Sequence, residues 1–310
     1  MVKRSGKRQA SLNTEVSLGK MRLKNPVMVG SGTFGSGKEY GELTDVKRLG
    51  AIVSKTITVK PRKGNLPPRV VDTPSGMLNS IGLENDGLED FIADKLPFMK
   101  RFGIPIVVSI AGDDPDEFAW LAKRLKAEEI RAVELNLSCP NLNKKIFAQD
   151  ERLTREVIKR TRPATQKTLI AKLSPNVSDI GIFAKACDEE GADAVSLINT
   201  VIAMSVDIET ARPRLGNITG GLSGPAIKPI ALRMVWEAYN ASNIPIIGMG
   251  GIMDYRDALE FIICGATAIA AGTANFVNPG AACDIINGLE RHLIQKGIAD
   301  INKLRGSLRV

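Results

Sequence analysis

Eight short apolar runs, rich in Val, Ile and Ala, recur along this chain, and they restrict its fold more than any other feature. They begin near Pro26 (PVMVGSG), Ala51 (AIVSKTIT), Ile104 (IPIVVSIA), Ala132 (AVELNLS), Thr168 (TLIAKLS), Ala192 (ADAVSLIN), Ile244 (IPIIGMGG) and Thr267 (TAIAAGT). Unbroken apolar runs of this length suit strands covered on both faces, as in a parallel sheet wrapped by helices. Successive starts lie 25, 53, 28, 36, 24, 52 and 23 residues apart. Five intervals hold one strand and one helix, and two hold about 25 residues more.

Helix-start signals fall between the runs: Asp114-Pro115 before DEFAWLAKRLKAEE, Asn176 before VSDIGIFAKACDEE, and Asp254 before YRDALEFIICG, which stops at Gly265. Eight alternating strand–helix units in 310 residues, slightly over the usual ~250, describe an α/β chain folded as a (β/α)8 TIM barrel. Periodicity does not show closure, so a doubly wound open sheet is the alternative. The long intervals are two insertions at the carboxyl-end face, Val59 to about Asn85 and Thr200 to about Pro229. Loops of that length in a compact domain serve as lids or binding loops.

Composition removes several chemistries. A single histidine, His292, excludes a multi-His metal site within one chain, and no Ser-His-Asp relay is evident. Cys139, Cys187, Cys264 and Cys283 form no C-x-x-C pair, which excludes a zinc knuckle or an iron–sulfur ligand set and suits a reducing cytoplasm. There is no run of about eighteen apolar residues and no apolar stretch in the leading segment, so neither membrane span nor signal peptide is expected. The net charge of +8 invites a nucleic-acid reading, but no RNA-binding motif or aromatic-interleaved basic stripe accompanies it. Residues 1–24 hold seven basic residues against Glu15, a net +6, which leaves +2 for the rest. The expected division is a mobile basic extension over 1–24 and one barrel domain over 25–310.

In such a barrel the active site lies at the carboxyl ends of the strands. Those ends carry Ser31-Gly32, Lys55-Thr56, Ser109, Asn136 with Ser138-Cys139-Pro140-Asn141, Lys172, Asn199-Thr200, Gly250-Gly251 and Gly272-Thr273. Two lysines and several carboxamides on one rim, with almost no carboxylate among these strand ends except Glu134 inside the fourth run, suit a planar, anionic, hydrogen-bonding ligand. The glycine pairs after strands seven and eight sit where bare backbone N–H groups hold a phosphate, although glycine there also serves a tight turn. No Rossmann fingerprint and no GxxxxGK[ST] is present, so a phosphate-tailed cofactor is preferred to a dinucleotide. Lys172, flanked by apolar residues, needs an anionic partner or a lowered pKa, or else is a snorkelling or ion-paired lysine at the strand end. Cys139 is the one cysteine in a polar turn, which points to acid–base or nucleophilic work; Cys187, Cys264 and Cys283 read as core.

The blocks SGTFG (31–35), KPRKGNLPPRV (60–70), MLNSIGLEN (77–85), NLSCPN (136–141), KLSPNV (172–177), INT (198–200), GGLSGPAIKP (220–229), IGMGGI (247–252) and GTANF (272–276) occur in order from about Met21 onwards. Together they resemble the catalytic subunit of class 1B dihydroorotate dehydrogenases. The resemblance implies an FMN-binding (β/α)8 barrel that oxidises dihydroorotate to orotate in pyrimidine biosynthesis.

It also implies residue roles. Cys139 matches the base that removes a proton from the ring methylene, while the neighbouring carbon, which bears the carboxylate, gives up a hydride. Lys55 matches a residue touching both FMN and the orotate carboxylate. Asn79, Ser80, Ile81, Gly82, Leu83, Asn136, Asn199 and Thr200 match the substrate clamp, with Asn141 alongside. Ser31, Lys55, Thr56, Ser109, Asn136, Lys172, Ile198, Gly224, Gly250, Gly251, Gly272 and Thr273 match FMN contacts, and Lys172 is suited to the anionic reduced ring. A cysteine base marks the soluble class 1 enzymes, whereas the membrane-bound class 2 enzymes use serine.

Ser109 departs from the asparagine of many class 1B members and resembles class 1A, whose homodimers reduce fumarate. The remaining blocks favour 1B, which implies a homodimer core joined by an electron-transfer subunit carrying FAD and a [2Fe–2S] cluster, with NAD as final acceptor and a cytoplasmic location. A related flavin barrel acting on dihydrouracil is the other enzyme reading, and Lys55 discriminates, because uracil has no carboxylate.

Overall fold

The computed structural model describes residues 12–137 and 147–310. Each apolar run contains a strand: β1 (Val27–Val29), β2 (Ile52–Val53), β3 (Ile106–Ile110), β4 (Ala132–Asn136), β5 (Thr168–Lys172), β6 (Ala194–Leu197), β7 (Ile246–Met249) and β8 (Ala268–Ala271). They form one parallel sheet in the order β1-β8-β7-β6-β5-β4-β3-β2. A parallel bridge between Met28 and Ala51 joins the two ends, so the sheet closes and the open-sheet alternative falls away. Every residue of these eight strands is buried, which is why they read as continuous apolar runs rather than alternating ones.

Helices wrap the cylinder. Pro115–Arg124 starts where Asp114 accepts a hydrogen bond from the Glu117 N–H, and it buries Phe118, Leu121 and Ala122 at helical spacing. Tyr255–Ile263 starts on a reciprocal box between Asp254 and Asp257. The expected start at Asn176 is corrected: the helix is Ile180–Glu189, capped by Asp179 through the Gly181 N–H. Asn176 instead ties the preceding loop to Ser174 and to the Thr200 carbonyl.

Residues 12–24 of the expected extension lie among the described residues and carry regular structure. Val16–Leu18 and Met21–Leu23 form an antiparallel hairpin whose Val16, Leu18, Met21 and Leu23 are buried. The Thr168 hydroxyl, at the start of β5, donates to the Leu18 carbonyl, so the hairpin seats against the amino-terminal mouth of the barrel. Alternation of apolar residues with Ser17 and Arg22 gives each short strand one buried face. Basic residues at 20, 22 and 24 masked that pattern.

The two insertions are not loops but halves of one sheet. Val70–Thr73 pairs with Gly76–Asn79, which pairs with Thr219–Ser223, which pairs with Val201–Met204, all antiparallel. Val71, Leu78 and Leu215 form a small apolar cluster of their own there, separate from the barrel core. This sheet flanks the carboxyl-end face and gives the site its outer wall.

Candidate active site

A cavity of about 330 Å³ opens between the carboxyl ends of the barrel strands and the insertion sheet. The barrel supplies Ser31, Lys55, Thr56, Asn136, Lys172, Ile198, Asn199 and Thr200 to its wall. The first insertion supplies Asn79, Ser80, Ile81, Gly82 and Leu83. The glycine turns supply Gly224, Gly250, Gly251, Gly272 and Thr273. All the described residues expected at the site therefore converge on one surface, except Ser109. That residue is fully buried one step back, its hydroxyl 3.0 Å from the Thr56 hydroxyl, which in turn accepts from the Asn136 amide at 3.0 Å. Cys139 and Asn141 lie outside the described residues.

Lys172 is 5% exposed and stands level with Asn136 on β4 and Ser196 on β6 in the parallel register. Its ammonium donates to the Ser31 hydroxyl at 3.0 Å. Among the described residues it has no carboxylate within ion-pair distance. A buried ammonium whose partner among the described residues is a neutral hydroxyl leaves room for an anionic ligand in the cavity to complete its pairing. Glu134, one layer lower, is 2% exposed; one of its oxygens accepts from Ser196 at 2.9 Å and the other has no hydrogen-bond partner among the described residues.

Lys55 is more open. Its ammonium lies 3.7 Å from Glu84, whose other oxygen is 3.0 Å from Arg69. The hydrogen bond from Arg69, followed by the nearby charges of Arg69 and Lys55, outweighs the effect of burial and holds the Glu84 carboxyl below its usual range. Sequence reasoning missed the Glu84–Arg69 pair beside Lys55, and also the wall residues Met77, Thr219 and Ser223, which reach the cavity through strand pairing across the insertions. Ser223 accepts from the Thr273 hydroxyl at 2.8 Å, which joins the insertion sheet to the turn after β8.

Gly250 and Gly251 have φ of +121° and +78°, values that favour glycine. A Cβ on Gly251 falls 2.8 Å from the Gly224 carbonyl oxygen, so the turn packs backbone directly on backbone. The turn is braced by Asp257, whose carboxylate accepts from the Met253 N–H at 2.8 Å and from Lys228 at 2.7 Å. With Gly272-Thr273 beside it, the arrangement is a backbone-lined concavity of the type that receives phosphate oxygens.

A closed (β/α)8 barrel with a braced glycine turn after β7 and a buried lysine in a polar cavity has the form of a barrel enzyme with its site at the carboxyl ends of the strands. Sequence comparison gives the family. The family model for dihydroorotate dehydrogenase matches residues 12–293, and the chain belongs to that family. Similar proteins include the "dihydroorotate dehydrogenase B (NAD(+)), catalytic subunit" of Thermoanaerobacter sp. (strain X514), 52% identical over 96% of this chain and 100% of the relative. Those of Trichlorobacter lovleyi and Thermodesulfovibrio yellowstonii carry the same description, at 52% over 94% of this chain and 97% of the relative, and 51% over 95% and 98%. No helix among the described residues is long and apolar enough to cross a membrane.

Proposed function

We propose that this chain is the catalytic subunit of an NAD-linked dihydroorotate dehydrogenase, oxidising dihydroorotate to orotate in pyrimidine biosynthesis. The observation that carries the reading is Lys172: a buried cation, without a carboxylate partner among the described residues, in a cavity that also presents a glycine-turn concavity. Those features fit FMN: the turns formed by Gly224, Gly250-Gly251 and Gly272-Thr273 would hold its phosphate, and Lys172, Thr56 and Asn136 would hold its ring. FMN supplies the two-electron acceptor.

The chain's own residues do the rest. Lys55 binds the substrate carboxylate and orients the ring; Asn79, Asn136, Asn199 and Thr200, with Asn141, hydrogen-bond its edges. Cys139 takes a proton from the ring methylene, and the neighbouring carbon, which bears the carboxylate, releases the hydride. A thiol titrates near ~8.5, so a modest environmental shift readies it at neutral pH, where a serine hydroxyl needs a far stronger one. The insertion sheet excludes water from one side. A partner subunit carrying FAD and a [2Fe–2S] cluster would supply the onward electron transfer, joined to a homodimer core in the cytoplasm. The test is purification with and without that partner, followed by assay of NAD against fumarate. NAD reduction only in the complex is expected; fumarate reduction by the isolated chain overturns the assignment of acceptor.

A further inference from the structure

The first insertion ends on a carboxylate held between two cations of unequal standing. Arg69 is fixed: beyond its 3.0 Å contact with Glu84, it donates to the Asn65 carbonyl at 2.5 Å and the Lys63 carbonyl at 2.9 Å. Lys55, on the barrel side, sits at 3.7 Å from the other Glu84 oxygen, beyond hydrogen-bond distance, and lines the cavity. The backbone that aims Glu84 is itself constrained. Leu83 has φ of +55°, a left-handed conformation that a side-chain-bearing residue rarely adopts and that persists only where its surroundings impose it. Asn85 imposes it: its amide donates to the Leu83 carbonyl at 2.7 Å, while its oxygen accepts from the Gly87 N–H at 2.9 Å. Leu83 turns onto Ala111, and Glu84 turns to the cations.

We propose that Glu84 is a positioning and selectivity residue for the substrate anion: it shares the Lys55 ammonium with the substrate carboxylate, which displaces it, while Arg69 keeps it on the insertion. This rests on the assignment of Lys55 to that carboxylate. Displacement is feasible because the Lys55 contact is the longer and half-exposed one. Glu84 thereby sets an electrostatic cost for every carboxylate that docks, substrate and product alike, and hastens product departure. Ligands of the same ring without a carboxylate do not meet that cost.

The experiment is calorimetric titration of the purified holoenzyme with orotate and with uracil, for wild type, Glu84→Gln, Glu84→Ala and Lys55→Met. Glu84→Gln and Glu84→Ala are expected to tighten orotate about two- to fivefold, the equivalent of a half-exposed ion pair, with uracil unchanged. The second variant covers misfolding of the first. Unchanged or weakened orotate binding in a folded Glu84 variant, or parallel shifts for both ligands, overturns the proposal. Lys55→Met separates the two levels. If it weakens orotate while the Glu84 variants do nothing, only the Glu84 role fails. If it leaves orotate binding unaltered, the assignment of Lys55 fails first.

Discussion

The ammonium of Lys172, on β5, donates to the hydroxyl of Ser31, at the carboxyl end of β1, across the interior of the barrel at 3.0 Å. Two strands four positions apart in an eight-stranded cylinder face each other, so this bond spans the cavity floor. Ser31→Ala removes a neutral acceptor and is expected to cost about 1 kcal/mol of stability. Lys172→Met removes the charge that the proposed FMN answers, and a weakening of FMN binding by about 10- to 100-fold is expected, read by fluorescence titration.

The barrel was legible because a strand buried on both faces leaves an apolar run, and each of the eight runs holds one. The insertion sheet was not. Thr219–Ser223 reads TGGLS, a turn by composition, and becomes a strand only because Gly76–Asn79 and Val201–Met204 pair with it on either side. The hairpin at 16–23 was hidden by its basic outward residues. At the site, the strand-end rule found the barrel residues and both glycine turns, because closure brings strand ends together. Glu84 escaped because its role depends on Arg69 and Lys55, which only the folded insertion places beside it.

Gly251→Ala forces a Cβ to 2.8 Å from the Gly224 carbonyl oxygen and strains a φ of +78°. A loss of about 1–3 kcal/mol in denaturant unfolding is expected, with reduced flavin content in the purified protein.

Asp257 braces the same turn. Burial acts to raise its carboxyl, but the Lys228 ammonium and the Met253 and Asp254 N–H groups outweigh it and hold the carboxyl below its ordinary range. Its folded value is thus depressed, so its contribution is complete above the unfolded value near ~3.9 and is lost as pH falls through the lower folded value. Asp257→Asn is expected to cost about 1–3 kcal/mol at neutral pH. The gap to wild type in urea unfolding narrows on acidification below about pH 4; a constant gap contradicts the charge pair.

Cys139→Ala removes the proposed base and leaves the cavity wall of described residues intact. Flavin reduction is expected to slow by about 10²- to 10⁴-fold with FMN content preserved, and Cys139→Ser is expected to recover activity only at high pH.

Hydride transfer from dihydroorotate to a flavin held at the strand ends is the proposed reaction of this chain. Anaerobic mixing of the purified, flavin-loaded chain with dihydroorotate, followed at the flavin absorbance band, tests it directly. Rapid bleaching by dihydroorotate, none by dihydrouracil, and sharply weakened substrate dependence in Lys55→Met are predicted. Bleaching by dihydrouracil with none by dihydroorotate, or a protein that retains no FMN under any reconstitution, contradicts the account.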